Sequence, residues 1–288
     1  MGYSARYHAT SLIAVFLALA IGILIGAEFG GPALNNTRRE LERSLVGNLQ
    51  DARSRADQLG GQLGRADEFA ERVYPVLVRN RLAGKRVAIL ALGGLPGNVS
   101  SAIETALGPT GARLVGVGVV REPVDLRSLA AGLSNTRFSD LVRDPEAQTA
   151  LGTGIGRQLV RGGSLLDLVR SPLFSQASGN FGRLGGVIVV RDQPNNMGPV
   201  QRGTAARLET ALMRGVMGTR TPTVGAETST VEPSSVPFFK SNALSSVDDI
   251  DLVAGRVALI FAMQGAEGSF GVKGSADRLL PDLLAPGH

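Results

Sequence analysis

The chain has 288 residues, enough for one core of ordinary size plus appendages, because single cores rarely exceed about 250 to 300 residues. Hydrophobic residues make up 43% of it but aromatic residues only 5%, so we expect an aliphatic core. The net charge is +5, and nearly all the positive charge is Arg. These arginines are scattered among acidic residues, which argues against nucleic acid as a partner. The absence of Cys excludes disulfides, thiolate metal sites and Cys-based catalysis.

Residues 9–27 form an apolar run of 19 residues without a charge. At ~1.5 Å per residue a helix of this length reaches about 28 Å, close to the roughly 30 Å of hydrocarbon in a bilayer. The apolar region of a cleaved signal peptide is shorter, about 7 to 15 residues, and ends at a small-residue cleavage site that this run matches poorly. We therefore predict an uncleaved transmembrane helix at residues 9–27.

The charges on either side of this run predict its orientation. Residues 1–8 carry Arg6, whereas the first charge beyond the run is Glu28. Because positive charge is retained on the cytoplasmic side, residues 1–8 should be a cytoplasmic tail and the main domain extracytoplasmic. The prediction is a single-pass protein of the cell membrane, with the lipid bilayer as a partner.

Small residues recur every four positions along the predicted span, at Ala14, Ala18, Gly22 and Gly26. Such a stripe lets two helix backbones approach closely, and the Gly22 to Gly26 pair has the GxxxG spacing. Membrane dimerisation is one interpretation. The other is that Gly and Ala are simply common in the membrane helices of GC-rich organisms, and the sequence leaves both open.

A coiled-coil stalk is predicted at residues 33–80, with Pro32 as a plausible helix start. Apolar residues there alternate spacings of four and three, the heptad period of a coiled coil. The predicted seam consists of Leu45, Leu49, Ala52, Ala56, Leu59, Leu63, Ala66, Ala70, Val73 and Leu77. It favours a parallel homodimer or higher homo-oligomer, although Gly60, Gly61 and Gly64 each cost a helix roughly 1 kcal/mol relative to Ala. The alternative is a helix that docks on its own domain through the broader apolar face near Phe69, Tyr74 and Val76.

An extracytoplasmic α/β domain is predicted at residues 85–284. Short apolar runs at 86–92, 112–120, 185–190, 221–226 and 256–263 are typical of strands buried on both faces. Helices predicted at 99–108, 145–162 and 200–217 would supply the crossovers. The pattern indicates a three-layer, Rossmann-like domain with a mainly parallel sheet.

Ligands of such sheets bind beyond the carboxyl ends of the strands. The residues at those positions are Gly93, Gly94, Arg121, Glu122, Arg191, Asp192, Glu227 and Gln264. They could line a ligand cleft, or they could end the strands in solvent. The only histidines are His8 and His288, so the domain cannot build a His-dependent triad or zinc site. We predict no catalytic residue, no cofactor site and no enzyme activity.

Two methionines are the weak candidates for a metal site. Met213 and Met217 lie four residues apart on the predicted helix 200–217 and could share one face. Thioethers suit Cu(I), but methionine on an amphipathic helix more often fills a core.

Several stretches of the chain resemble the MctB family of actinobacterial envelope proteins, described as copper transporters. They are residues 7–27 (YHATSLIAVFLALAIGILIGA), the heptads, residues 245–263 (SSVDDIDLVAGRVALIFAM) and residues 268–284 (GSFGVKGSADRLLPDLL). The resemblance covers essentially the whole chain, and its most specific parts are Tyr7-His8, Ser11-Leu12, residues 15–20 and the tail around 271–281.

This resemblance implies a role in copper efflux or tolerance, transient contact with copper, and for some members an outer-membrane location. In related corynebacterial proteins it implies a part in envelope assembly and cell division beside a partner protein. Two hypotheses follow: a copper transporter, or a non-enzymatic adaptor that binds an envelope partner through its stalk and α/β domain. The residues favour the adaptor, because the chain offers copper no Cys, no usable His and few Met. The family resemblance favours the copper-transporter hypothesis.

Overall fold

The computed structural model describes residues 4–134, 136–138 and 140–282, without the side chains of residues 4–7, 28–40 and 42. The α/β domain predicted at 85–284 therefore extends two residues beyond the described chain, and His288 also lies outside the described residues. The chain divides into two compact units, residues 1–67 and 68–288. The helices are α1 (Ser4–Val78), α2 (Gly97–Leu107), α3 (Leu126–Gly132), α4 (Pro145–Arg161), α5 (Ser164–Leu173), α6 (Pro199–Met217), α7 (Val236–Ser241) and α8 (Val253–Ala262). The strands are β1 (Arg86–Gly93), β2 (Arg113–Val120), β3 (Phe174–Gly179), β4 (Gly186–Asp192), β5 (Thr223–Ala226), β6 (Ser245–Val247) and β7 (Ser269–Phe270).

The described part of the first unit consists of helix α1 up to residue 67, and the helix has no break at Pro32, where the sequence suggested a new helix start. Among the described residues, one helix is long and apolar enough to cross a membrane, at His8–Ala27, and none of that stretch is buried against the rest of the protein. A helix satisfies all its backbone polar groups internally, as a lipid environment requires. The segment therefore fits a single-pass membrane protein.

The predicted seam residues of the first unit lie on the exposed surface of α1. The leucines Leu45, Leu49, Leu59 and Leu63 are 54–65% exposed. At Gly60 and Gly64 an added Cβ would meet nothing within 4 Å. The heptad face from Leu45 to Ala66 is thus open along its length, and a coiled-coil stalk remains consistent with the long helix.

The second unit is built on a seven-stranded sheet of order β3-β2-β1-β4-β5-β6-β7. Strand β3 pairs antiparallel with β2, and the remaining pairs are parallel. Strands β1 and β4 are adjacent at the centre although distant in sequence, so the strand order reverses between them, which makes this the topological switch point. The predicted three-layer, mainly parallel α/β fold is confirmed.

Helices cover both faces of this sheet and enclose two apolar cores. The end of α1, α2 and α8 pack on one face, while α3 to α7 pack on the other. Helices α4 and α6 approach closely because glycines meet at their crossing. A Cβ at Gly156 would overlap the Leu212 carbonyl, and one at Gly215 would overlap the Thr153 carbonyl. Burial on both faces explains why β1 reads as a continuous aliphatic run.

The last turns of α1 belong to the second unit. Tyr74 is 3% exposed and its hydroxyl donates a hydrogen bond to the Ala106 carbonyl at 2.6 Å. Arg256 of α8 pairs with Glu71, and its guanidinium lies 5.2 Å from the centroid of the Tyr74 ring. Of the three residues that suggested docking, Tyr74 is buried, whereas Phe69 and Val76 stay 69% and 67% exposed.

The four predicted strands up to residue 226 are confirmed as β1, β2, β4 and β5, and the three predicted helices as α2, α4 and α6. The fifth predicted strand, 256–263, is wrong, because this segment belongs to helix α8 and the turn after it. Every residue from Gly255 to Met263 is buried, so the run shows no amphipathic period that would distinguish a helix from a strand.

Three strands were missed. Strand β3 is an edge strand with the largely polar sequence FSQASG, and β6 and β7 have only three and two residues. None of them carries an aliphatic run like those of β1, β2 and β4, which was the main signal for a buried strand.

Candidate functional site

The parallel strands end at one edge of the sheet and gather most of the predicted strand-end residues there. Gly93, Gly94, Arg121, Glu122, Arg191, Asp192 and Glu227 all lie at or just after the ends of β1, β2, β4 and β5. Gln264 does not, because it follows helix α8 instead of a strand. Its side chain exchanges hydrogen bonds with Arg81, at 3.3 Å and 3.1 Å.

The first charged cluster at this edge surrounds Glu209 of α6, which is 1% exposed. Arg191 donates to both Glu209 oxygens at 3.1 to 3.3 Å, and the Gln193 amide donates to one of them at 3.1 Å. The Arg191 guanidinium also lies 4.4 Å from the centroid of the Phe238 ring. Sequence reasoning missed Glu209, although a single acid among buried residues of α6 was a signal that could have found it.

Glu122, which follows β2, joins this cluster. Burial and the neighbouring Glu209 carboxylate raise the pKa of Glu122 to about 8, and Arg191 offsets part of that rise. The Glu122 carboxyl group is therefore mostly protonated at neutral pH. The Arg191 guanidinium then balances the Glu209 carboxylate alone, and Glu122 adds little negative charge to the cluster.

The second charged cluster surrounds Glu227, which is 2% exposed after β5. It accepts hydrogen bonds from the Ser234 hydroxyl at 2.6 Å, the Ser235 amide at 2.7 Å and the Lys273 ammonium at 2.8 Å. Lys273 also donates to the Val231 carbonyl at 2.7 Å. The Ser235 hydroxyl donates to the Arg191 carbonyl at 3.2 Å, so the two clusters form one network.

Two fully buried aspartates extend the network beyond β6. Asp248 accepts from the Val272 amide at 2.9 Å, and burial raises its pKa. Asp249 has no hydrogen-bond partner for its carboxyl oxygens among the described residues, and burial with the charges of Asp248 and Asp251 raises its pKa to about 7. A Cβ at Gly255 would overlap Asp249, so α8 can pack here only with Gly at this position.

The segment after β7 covers this part of the edge. Its backbone amides bind Asp248 and its Lys273 side chain enters the Glu227 cluster, so the ligand position beyond β5 and β6 is filled by the chain itself. Two of the buried carboxylates here, Glu209 and Glu227, are paired with cations of the chain itself, Arg191 and Lys273. Among the described residues, no group of three or more His, Cys, Asp or Glu side chains is arranged to hold a metal ion.

The two candidate methionines lie together on α6. Met213 is buried in the apolar core on its face of the sheet, and Met217 packs against the same core while lining a cavity of about 720 Å³. That cavity lies at the amino ends of β5 to β7. Met263, by contrast, belongs to the core on the opposite face.

The predicted pairing residues all lie on α1. Ala14, Ala18, Gly22 and Gly26 are exposed within the apolar span. The seam is exposed up to Ala66, Ala70 is half-buried, and Val73 is 38% exposed. Leu77 packs against the core of the second unit, so the last seam residue already has a partner within the chain.

Comparison with known proteins places this architecture in a family. The family model described as "Copper transport outer membrane protein, MctB" matches residues 3–281, which include α1 and the whole sheet. Proteins named "Copper transporter MctB" from Mycobacterium tuberculosis H37Rv and Mycobacterium bovis are 27% identical over 293 aligned positions, covering 90% of this chain and 91% of theirs. Their name denotes a transporter and not an enzyme, in keeping with the sequence-based prediction. The chain belongs to the MctB family.

Proposed function

We propose that this protein serves copper efflux or copper tolerance as a single-pass protein of the cell envelope. The observation that carries the proposal is the family match, which runs from residue 3 to residue 281 and therefore includes both the apolar helix and the sheet. In the proposed orientation, residues 1–8 are cytoplasmic and the α/β unit lies outside the cell membrane. That orientation is supported by Arg6 before the span and Glu28 after it.

Within this proposal, copper meets the protein transiently, as a substrate. Met213 and Met217 offer two thioethers on one helix face, and thioethers are ligands that Cu(I) prefers. Met217 lines the 720 Å³ cavity, which makes it the more accessible of the two. Replacement of both by Leu keeps the apolar volume while removing the sulfur.

The experiment is a deletion strain of the native host, measured for copper content by mass spectrometry and for the highest tolerated copper concentration. We expect copper content to rise and tolerance to fall, with both restored by the intact gene. A gene encoding Met213→Leu with Met217→Leu should restore less if these thioethers handle copper. Zinc content is the control, and a copper content equal to that of the parent strain would reject the copper role.

A second candidate function is that of an adaptor for an envelope or division protein. Two observations favour it: the exposed heptad face of α1, and the filling of the carboxyl edge by Lys273. The same deletion strain tests it, because loss of an adaptor should give septation or cell-wall defects at normal copper content. Crosslinked membranes that yield no recurrent partner would count against it.

A further inference from the structure

We propose that the α1 face running from Leu45 to Ala66 docks a second copy of this chain, parallel and in register, as a two-stranded coil. The inference rests on the membrane anchoring proposed above. It goes beyond that function because it assigns the occupant of the exposed face and the alignment of the two copies.

The face has the composition of a seam and lacks a partner within the described chain. In heptad notation Leu49, Ala56 and Leu63 occupy positions a, whereas Leu45, Ala52, Leu59 and Ala66 occupy positions d. The four leucines are each more than half exposed on the single helix. Burying a and d side chains against the same positions of another helix is what removes such a stripe from water.

The apolar span determines the direction of pairing. It lies at His8–Ala27 on the same helix and in the same unit as the seam. Every copy enters the membrane by the same end, so neighbouring α1 helices run parallel. Anchoring in one bilayer also raises the effective concentration of the copies, which allows a weak seam to pair.

The span also determines the register, since it holds equal residue numbers at equal depth. The seam alone would not, because leucine pairs (Leu45 with Leu49, Leu59 with Leu63) alternate with an alanine pair (Ala52 with Ala56). A slip of one heptad would place Leu opposite Ala in each layer and would still bury the stripe. In register, by contrast, wide leucine layers alternate with narrow alanine layers.

The residues flanking the seam are compatible with the in-register arrangement. In a parallel coil, a g residue faces the e residue of the next heptad on the other helix. Arg55 then faces the partner's Gly60, and Gln62 faces the partner's Asp67. Asn48 likewise faces the partner's Arg53, so none of these facing pairs has like charges.

Single cysteines test the pairing, because the natural chain has none and a disulfide between two copies can therefore form only at the introduced position. The variants are Leu59→Cys and Ala56→Cys on the seam, with Ser54→Cys on the opposite side of the helix as the matched control. In oxidised native membranes, the seam variants should form covalent dimers about ten times faster than Ser54→Cys, because disulfide formation needs Cα atoms within roughly 7 Å. Equal rates at the three positions would overturn the proposal.

Register is tested by mixing two differently tagged copies, one with Ala52→Cys and one with Leu59→Cys. In-register pairing yields only dimers of like copies, whereas mixed dimers would reveal a slipped register and overturn this part of the proposal. Carbonate extraction of the membranes distinguishes a failure of the proposed anchoring from a failure of the proposed pairing. Protein released from the membrane would refute the anchoring, and protein retained without seam-specific crosslinks would refute the pairing alone.

Discussion

At the scale of single residues, Lys273 is the cation that neutralises a buried carboxylate. The side chains of Lys273 and Glu227 are only 10% and 3% exposed, so removal of the ammonium leaves Glu227 charged without compensation. We expect Lys273→Met to lower the free energy of unfolding by about 3–5 kcal/mol. Thermal unfolding of the detergent-solubilised protein, followed by circular dichroism, measures this loss.

The matched control is Lys240→Met. Lys240 pairs with Asp277 at the same distance of 2.8 Å, but their side chains are 42% and 55% exposed. An exposed pair contributes about 0–1 kcal/mol, so this variant should unfold nearly as the natural protein does. Adding Glu227→Gln to Lys273→Met should recover part of the loss. Equal destabilisation by the two lysine variants would contradict the role assigned to burial.

Glu122 makes stability depend on pH. Its pKa is about 8 in the folded protein against an ordinary value of 4.5, so the folded state binds an extra proton between these values. The free energy of unfolding should therefore fall as pH rises from about 4.5 to 8, and level off above that range. Asp249, whose pKa is raised to about 7, adds a contribution of the same sign.

Glu122→Gln removes this ionisation while retaining a neutral side chain of similar size. We expect the variant to lose less stability between pH 5 and pH 8.5, and at pH 8.5 to exceed the natural protein by on the order of 1 kcal/mol. Denaturant titrations across that range measure the effect. Glu104→Gln, at an exposed position on α2, is the control and should keep the natural pH profile. An unchanged slope in Glu122→Gln would contradict the assignment.

At the scale of secondary-structure elements, sequence patterns predicted the buried strands β1, β2, β4 and β5 but not the polar edge strand β3 or the very short β6 and β7. Runs such as RVAILAL identify β1 because both faces of that strand are covered. The run RVALIFAM was misread as a strand because α8 is buried on all sides.

The charged residues at the carboxyl edge of the sheet were predicted only from their place directly after a strand. Glu209 reaches this edge from helix α6 and Lys273 from the segment after β7, so that criterion could not reveal them.

The end of helix α1 is expected to stabilise the α/β unit. Tyr74 fills part of one core and donates to the Ala106 carbonyl, whereas Phe69, just over one turn earlier, is 69% exposed. Tyr74→Ala should lower the free energy of unfolding by about 3–5 kcal/mol, the usual cost of removing a buried aromatic side chain. Phe69→Ala should change it by no more than about 0.5 kcal/mol. Comparable losses in the two variants would show that the helix end does not pack as described.

The same packing sets the boundary for a soluble fragment. A fragment of residues 68–282 retains Tyr74 and Val78, whereas a fragment of residues 80–282 lacks both and exposes the core they cover. The longer fragment should therefore give a cooperative unfolding transition, and the shorter one should not.

At the scale of the whole molecule, the apolar span and the charges beside it predict which side of the membrane each part occupies. Val200, at the start of α6, is 84% exposed and accepts a label without disturbing a core. In intact cells, a membrane-impermeant maleimide should label Val200→Cys and not Ala5→Cys in the tail. After the cells are broken open, both should react. Labelling of Ala5→Cys in intact cells would reverse the proposed orientation.

The position of Lys273 in the chain also bears on how the protein is made. The partners of its ammonium, Glu227 and the Val231 carbonyl, precede it by more than 40 residues. Until Lys273 and strand β7 have been synthesised, the Glu227 carboxylate lacks its lysine partner, and the edge of β6 that faces away from β5 has no neighbouring strand. The α/β unit therefore cannot complete its fold before Lys273 and strand β7 have left the ribosome.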